Sequence, residues 1–337
     1  MNESLKQSTI AVLGAGSWGT ALAILLARQG QSTYLWARDA AYTETMQSDR
    51  RNSRYLPDTR FPETLQIGSD LAKIVAAADD ILIAVPSHAF RALIVELVSL
   101  IRPQQRLIWA SKGFEPGSGK LMNQVIDELM GTKISTAIVS GPTFAKEVAQ
   151  DYPTTVTVAS VNHEFARQLA QRLHGDNFRA YTSHDVIGVQ VGGAIKNVLA
   201  IAAGIADGLG FGANTRAAII TRGLSEVMRF GIALGGQRET FMGLSGLGDL
   251  VLTCTDDQSR NRRLGLSLGR GNSLREALAT IDQVVEGVQA AHEVNTMAIR
   301  MSVDMPICDQ VYQVLYESKT PKDAVQTLLS RDLKGES

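Results

Sequence analysis

A lysine stands in the middle of an apolar run. The segment "GGAIKNVLAIAAGIADG" (residues 192–208) sets Lys196 and Asn197 among glycines, alanines and aliphatic residues. A charge is almost never fully buried unless it is paired. The ammonium therefore either snorkels to solvent along its helix or gives and takes a proton for a living reaction. On a helix, Gly192, Gly193, Leu199, Ala200, Ala203 and Gly204 share its face. All but Leu199 are small, so something approaches closely on that side: a second helix, or a cofactor ring with its substrate.

A second chemical feature lies near the start. In "IAVLGAGSWGTALAILLARQG" (residues 10–30), Gly14, Gly16 and Gly19 have G-x-G-x-x-G spacing between a strand pattern and a helix pattern. Gly14 permits the tight turn, Gly16 lets a pyrophosphate approach the backbone, and Gly19 allows close helix–strand packing. The N–H groups of the helix start then face the anion. The next strand ends "LWARDA", with Arg38 where an acid usually holds the ribose of NAD, and Asp39 just after it. A guanidinium suits a 2′-phosphate, which favours NADPH over NADH, although Asp39 remains within reach of a ribose. Trp18 either covers the cofactor or packs beneath it.

Three further strand ends carry polar residues, where an open α/β sheet binds its ligands. Pro86 and Ser87 follow one strand as cofactor walls or a plain turn. Lys112 follows the next, in "ASKGFEP", where a cation can face a phosphate or a carbonyl. In "SGPTFAKEV", Gly141 and Thr143 are expected to begin a helix, with Pro142 in its first turn, and to offer N–H groups and a hydroxyl. Later, "GLSGLGDLVLTCTDDQSRNRRLG" (residues 243–265) joins a glycine-rich turn to Asp249 and to Arg260, Arg262 and Arg263. Ser259, Arg260 and Asn261 together can hold a phosphoryl group; a solvated helix face is the plainer alternative.

These groups need a scaffold. From Thr9 to about Tyr181, β-branched runs alternate with helical patterns, which predicts βαβ units and a mostly parallel sheet. Strands are expected at residues 9–13, 33–37, 80–85, 106–110, 136–140 and 154–159, and helices at 19–29 and 89–101. The segment "RNSRYLPDTRFP" (residues 51–62) reads as a loop with solvated arginines. After about Asp185 only helical periodicity remains. The expected fold is a Rossmann-type α/β domain over residues 1–185, followed by an all-α substrate domain over 186–337. The helix carrying Lys196 joins them, which would set that lysine at an interdomain cleft.

Composition excludes several classes. With 337 residues, 45% hydrophobic and 20% charged, the chain is globular and long enough for two cores. A net charge of −1 argues against a surface made for nucleic acid or an anionic membrane. The polar start "MNESLKQST" lacks the features of a signal peptide, so a cytoplasmic protein is expected. Residues 186–206 are long enough to span a bilayer, but Lys196 would lie at the midpoint, and a buried core helix is the expectation. Cys254 and Cys308 have no metal or disulfide spacing and read as small buried hydrophobes. The five histidines show no zinc pairing, and no G-x-S-x-G elbow supports acyl transfer.

Taken together, "GAGSWGTALA", "SKG", "GPTFAKEV", "GGAIKNVLAIAAGIADGLGFGANTRAAIITRGL", "GLGDLVLTCTDDQSRNRRLG" and "VVEGV" resemble the NAD(P)-dependent glycerol-3-phosphate dehydrogenase family, in its bacterial biosynthetic branch. The resemblance runs from about Ile10 to beyond Glu286. It implies that Lys196 is the proton acceptor. It also implies that Lys112, Gly141, Thr143, Lys196, Asp249, Ser259, Arg260 and Asn261 contact glycerol 3-phosphate. Ser17, Trp18, Arg38, Lys112, Ala145, Arg260, Val284 and Glu286 would contact the cofactor. Reversible hydride transfer between NAD(P)H and dihydroxyacetone phosphate would then supply glycerophospholipid synthesis, without a metal, in a homodimer. The rivals are a related β-hydroxyacid dehydrogenase and a dinucleotide-sensing protein without chemistry.

Overall fold

The computed structural model describes residues 8–281 and 283–331. Residues 1–7 of the polar start and the final "DLKGES" lie outside them. The chain divides into two compact units, one running to Glu115 and from Lys120 to Gln190, the other holding Pro116–Gly119 and everything from Val191 onward.

The first unit contains β1 (Ile10–Leu13), α1 (Ser17–Arg28), β2 (Thr33–Trp36), α2 (Ala40–Asp49), β3 (Arg51–Asn52), β4 (Leu56–Arg60), β5 (Leu65–Gly68), α3 (Leu71–Ala77), β6 (Asp80–Ile83), α4 (Ser87–Val98), β7 (Arg106–Trp109), α5 (Met122–Met130), β8 (Thr136–Ser140), α6 (Ala145–Ala149), β9 (Thr154–Ala159), α7 (His163–Leu173) and β10 (Phe178–Ser183). Eight of the strands form one sheet in the order β10-β9-β8-β7-β6-β1-β2-β5. Every pairing in it is parallel except β8 with β9. Successive residues of a strand point to opposite faces. Ile10 and Val12 accordingly enter one core, and Ala11 and Leu13 the other. Both faces of the sheet are buried, as the runs of aliphatic residues require. β1 has β2 on one side and β6 on the other, so the strand order reverses at its carboxyl end, the place where such sheets take ligands.

The segment read as a loop is instead an antiparallel hairpin, β3 with β4. Its arginines are not all merely solvated. Arg51 donates to the Pro57 carbonyl at 3.4 Å, and the Arg54 guanidinium lies 5.3 Å from the centre of the Tyr55 ring.

In the second unit, α8 (Val186–Gly208, whose first residues belong to the first unit) is followed by α9 (Ala213–Ala233), α10 (Arg238–Phe241), a π-turn (Leu244–Gly248), α11 (Asp249–Thr255), α12 (Arg260–Gly269), α13 (Leu274–Ala279), α14 (Glu286–Met301), α15 (Pro306–Tyr316) and α16 (Pro321–Leu329). α8 is long and apolar enough to cross a membrane, but 89% of its most apolar window is buried within the protein. It is a core helix.

The small residues of α8 have a structural use. A Cβ on Gly204 would come within 2.1 Å of the Arg262 carbonyl oxygen, and one on Gly265 within 2.1 Å of that of Ile201. α8 and α12 therefore cross with their backbones in contact. A Cβ on Gly192 would meet the Ser245 carbonyl oxygen of the π-turn at 2.3 Å. Of the two approaches open to the lysine's small-residue face, Gly192 and Gly204 are thus taken by the protein's own backbone.

Glu226 on α9 is buried and accepts the N–H groups of Ile307 and Cys308, at 2.7 and 3.1 Å, at the first turn of α15. Burial holds its carboxyl up at about 7 against an ordinary 4.5, with the two N–H bonds pulling the other way. The folded state thus binds this proton more tightly than the unfolded chain does. The stabilisation is complete below about pH 4.5 and is lost as pH rises through about 7, on the order of 3 kcal/mol in all. Glu226→Gln cannot ionise. In urea unfolding across that range, the difference in stability between wild type and variant is expected to shift steadily against wild type as pH rises.

Candidate active site

In the first unit the candidate residues gather at the carboxyl ends of β1, β7 and β8. Gly14 has φ +118°, and a Cβ there would lie 2.7 Å from the Ala84 carbonyl oxygen; one on Gly19 would lie 1.9 Å from that of Gly14. Both positions need glycine for the fold itself. Gly16 differs, since a Cβ there would meet no protein atom within 4 Å. The packing of the described residues does not require a glycine there, and the space beside it is open to a ligand. Gly16 is also the N-cap of α1 and supplies no capping side chain to the first turn. Trp18 packs partly on the core below the loop, yet its Nε1 is buried with no hydrogen-bond partner among the described residues. An open glycine, an uncapped helix start and an orphaned indole N–H fit an anionic dinucleotide. Ser17, half-buried, opens α1 beside them.

Arg38, just past β2, is exposed and makes no hydrogen bond or ion pair with the described residues. Asp39 is committed elsewhere: its carboxylate accepts the Tyr42 N–H at 3.1 Å as the N-cap of α2. The guanidinium makes no such commitment and is exposed to a ligand.

Lys112 Nζ donates to the Gly141 carbonyl at 3.0 Å, and Thr143 Oγ1 donates to the same oxygen at 3.3 Å. These three residues are therefore brought together. They do not, however, begin a helix. α6 starts only at Ala145, with Phe144 as its N-cap. Gly141 has φ +151° and a Cβ there would sit 3.0 Å from the Val156 Cα, so the chain must turn past β9 before a helix can form. Ala145 is half-buried against the core under the glycine loop.

In the second unit Lys196 is 7% exposed and its ammonium is hydrogen-bonded and ion-paired to Asp249, which is fully buried. Asp249 opens α11 directly after the π-turn. Such turns are common at functional sites, and this one sets the carboxylate beside the lysine. The thiol of Cys254 is pushed up to about 12 by burial, with Lys196 pulling the other way. It is a packing group and no nucleophile, as is Cys308, whose thiol burial also raises well above its ordinary value.

Ser259 is the N-cap of α12, accepting the Arg262 N–H at 3.2 Å. Arg260, half-buried on the first turn, donates to the Val284 carbonyl at 2.8 Å. Val284 is exposed and enters through its backbone, two residues before Glu286 opens α14. Asn261 is buried between partners. Its Nδ2 donates to Asn197 Oδ1 at 2.9 Å and its Oδ1 accepts the Gly287 N–H at 2.9 Å. The cationic cluster divides: Arg262 is ion-paired with the half-buried Asp207, and Arg263 faces solvent. No group of three histidine, cysteine or acidic residues able to hold a metal occurs among the described residues.

Residues 9–166 match the profile of the NAD-dependent glycerol-3-phosphate dehydrogenase N-terminus, and residues 185–326 that of its C-terminus. The glycerol-3-phosphate dehydrogenase, NAD(P)+, of Nitrosococcus oceani is 58% identical over 96% of this chain and 94% of its own. The chain belongs to the NAD(P)-dependent glycerol-3-phosphate dehydrogenase family. The enzyme of the same name from Aeromonas hydrophila is 54% identical over 98% and 99% of the two chains. The crystal structure of glycerol-3-phosphate dehydrogenase from Coxiella burnetii superposes with a TM-score of 0.93 at 47% identity, covering 96% of this chain and 99% of that one. As a glycerol-3-phosphate dehydrogenase, the chain is an oxidoreductase that uses NAD(P), and its α/β sheet followed by helices is the fold of these relatives.

One residue of the dehydrogenase escaped sequence reading. Asn52, in the hairpin, is wholly buried and donates through Nδ2 to the Ala15 carbonyl at 2.9 Å and to Thr20 Oγ1 at 2.8 Å. No spacing rule links it to a loop more than thirty residues earlier. Its one visible signal is an amide inside a segment rich in arginine and turn formers.

Proposed function

We propose that the chain reduces dihydroxyacetone phosphate reversibly to sn-glycerol 3-phosphate, with NADPH preferred over NADH and Lys196 as the proton donor. The observation that carries this reading is the buried Lys196–Asp249 pair. A buried ion pair is weak evidence for stability and good evidence for a site that needs a proton held in place.

The bound nicotinamide supplies the hydride. As negative charge grows on the C2 oxygen of the ketose, the Lys196 ammonium gives it a proton; in the oxidising direction the amine takes that proton back. Asp249 balances the ammonium's charge and fixes its direction. Ser259, Arg260 and Asn261, at the start of α12, present a guanidinium and the positive end of a helix to the phosphate. Binding energy gathered there, away from the reacting carbon, orients the substrate. The N-terminal loop with Gly14, Gly16, Ser17, Trp18 and Gly19 cradles the dinucleotide, and Lys112, Gly141 and Thr143 supply a fixed cation and polar groups at the sheet's carboxyl edge. Glu286, at the N-terminus of α14, and the backbone of Val284 complete the cofactor's contacts, with Ala145 packing beside the loop.

Arg38 carries the preference for NADPH. Arg38→Ala is expected to lower kcat/KM with NADPH about tenfold, the worth of one charge-assisted contact, and to leave the value with NADH within about twofold. Equal losses with both cofactors would remove Arg38 from 2′-phosphate recognition.

The product feeds glycerophospholipid synthesis from the cytoplasm. A homodimer is the ordinary assembly for such an enzyme. The test against a β-hydroxyacid dehydrogenase is substrate choice. Turnover of dihydroxyacetone phosphate should exceed that of a small 2-oxoacid by orders of magnitude, and the reverse order would assign the chain to the other chemistry.

A further inference from the structure

Every polar valence of the Asn52 side chain is used. Besides the two Nδ2 donations to Ala15 and Thr20, its Oδ1 accepts from the Tyr42 hydroxyl at 2.5 Å and from the Tyr55 N–H at 3.2 Å. The Tyr42 hydroxyl in turn accepts the Arg54 N–H at 3.3 Å. A neutral amide has two donors and an oxygen with two lone pairs, so this one is fully engaged. The target of Nδ2 is specific. Ala15 lies between the first two glycines of the loop, and its carbonyl belongs to the same peptide plane as the Gly16 N–H. In a planar trans peptide the two point in opposite directions. Pulling the carbonyl toward the hairpin therefore turns the Gly16 N–H away from it. At Gly16 the protein leaves the surrounding space open.

We infer that Asn52, itself held by Tyr42, is a positioning residue that aims the Gly16 N–H at the dinucleotide's pyrophosphate. The inference rests on the reading of the glycine loop as the cofactor cradle. The bond to Thr20 ties the same amide to the first turn of α1, so the loop and the helix start move as one unit. The hairpin β3–β4 is then a brace for the cradle, further anchored by the ion pair of Asp58 with Lys146 at 3.1 Å.

The test uses two variants of the full chain. Asn52→Asp keeps the shape and replaces both donors with an oxygen that faces the Ala15 carbonyl. Tyr42→Phe keeps both donors and removes the group that holds the amide. NADPH dissociation constants are read by nicotinamide fluorescence, with kcat, both KM values and the melting temperature measured alongside. Asn52→Asp is expected to raise the NADPH Kd and KM about tenfold or more, and Tyr42→Phe about threefold. For both, kcat at saturating NADPH and KM for dihydroxyacetone phosphate should stay within about twofold of wild type. If Asn52→Asp does not fold, Tyr42→Phe carries the comparison alone. A lowered melting temperature with unchanged NADPH affinity would make the clamp purely structural and overturn the inference. Wild-type protein that binds neither NADPH nor NADH would instead overturn the reading of the cradle beneath it.

Discussion

Lys196→Met should lower kcat by about three orders of magnitude while NADPH affinity stays within about twofold. The loss is set by what a positioned acid contributes to a proton transfer, roughly a hundredfold to ten-thousandfold. Methionine has nearly the length of the lysine stem and no proton to give. Near-native turnover in the variant would make the lysine a packing residue whose charge is merely tolerated. Stability gives an independent reading. Lys196 and Asp249 are both buried and paired, so removing the cation leaves a carboxylate without its partner. An unfolding cost of roughly 3 kcal/mol is expected at neutral pH.

Asp249→Asn tests the other half of the pair. The amide keeps the shape and removes the negative charge that Asp249 sets against the buried ammonium. Burial alone favours the neutral amine. In the reducing direction the reaction needs the protonated form, so the rate should begin to fall at a lower pH in the variant than in wild type. At neutral pH kcat is expected to drop on the order of a hundredfold, with KM for NADPH little changed. A pH–rate profile that keeps its position while the rate falls would mean that Asp249 serves the substrate and not the lysine.

The parts of the fold legible in the sequence were those dictated by local pattern. β8 and β9 span the residues expected of them, and the other four expected strands differ by one or two residues at an end. Each is a β-branched or aliphatic run buried on both faces of the sheet. The hairpin was not legible, because Pro57 and Asp58 break any alternation and the element is held by bonds to distant residues, those of Asn52 to Ala15 and Thr20 above all. Nor was the delay of α6 past Gly141, which depends on the proximity of β9. Two glycines beside Lys196, Gly192 and Gly204, are legible in the sequence as sites of close approach. That Gly192 and Gly204 meet backbone of the π-turn and of α12 could not be known from one helix, since each approach has two sides. The lysine's partner was legible only as one of two roles, Asp249 orienting either the lysine or a substrate hydroxyl. Asp249 stands 53 residues away, and only the turn that precedes it brings the two charges together.

The most direct test adds dihydroxyacetone phosphate to the protein with NADPH, and separately with NADH at the same concentration, while the absorbance of the reduced nicotinamide is followed. The account predicts consumption of reduced cofactor that depends on the ketose phosphate, is faster with NADPH, and yields sn-glycerol 3-phosphate. If neither cofactor is consumed, the protein is not a reductase of this substrate.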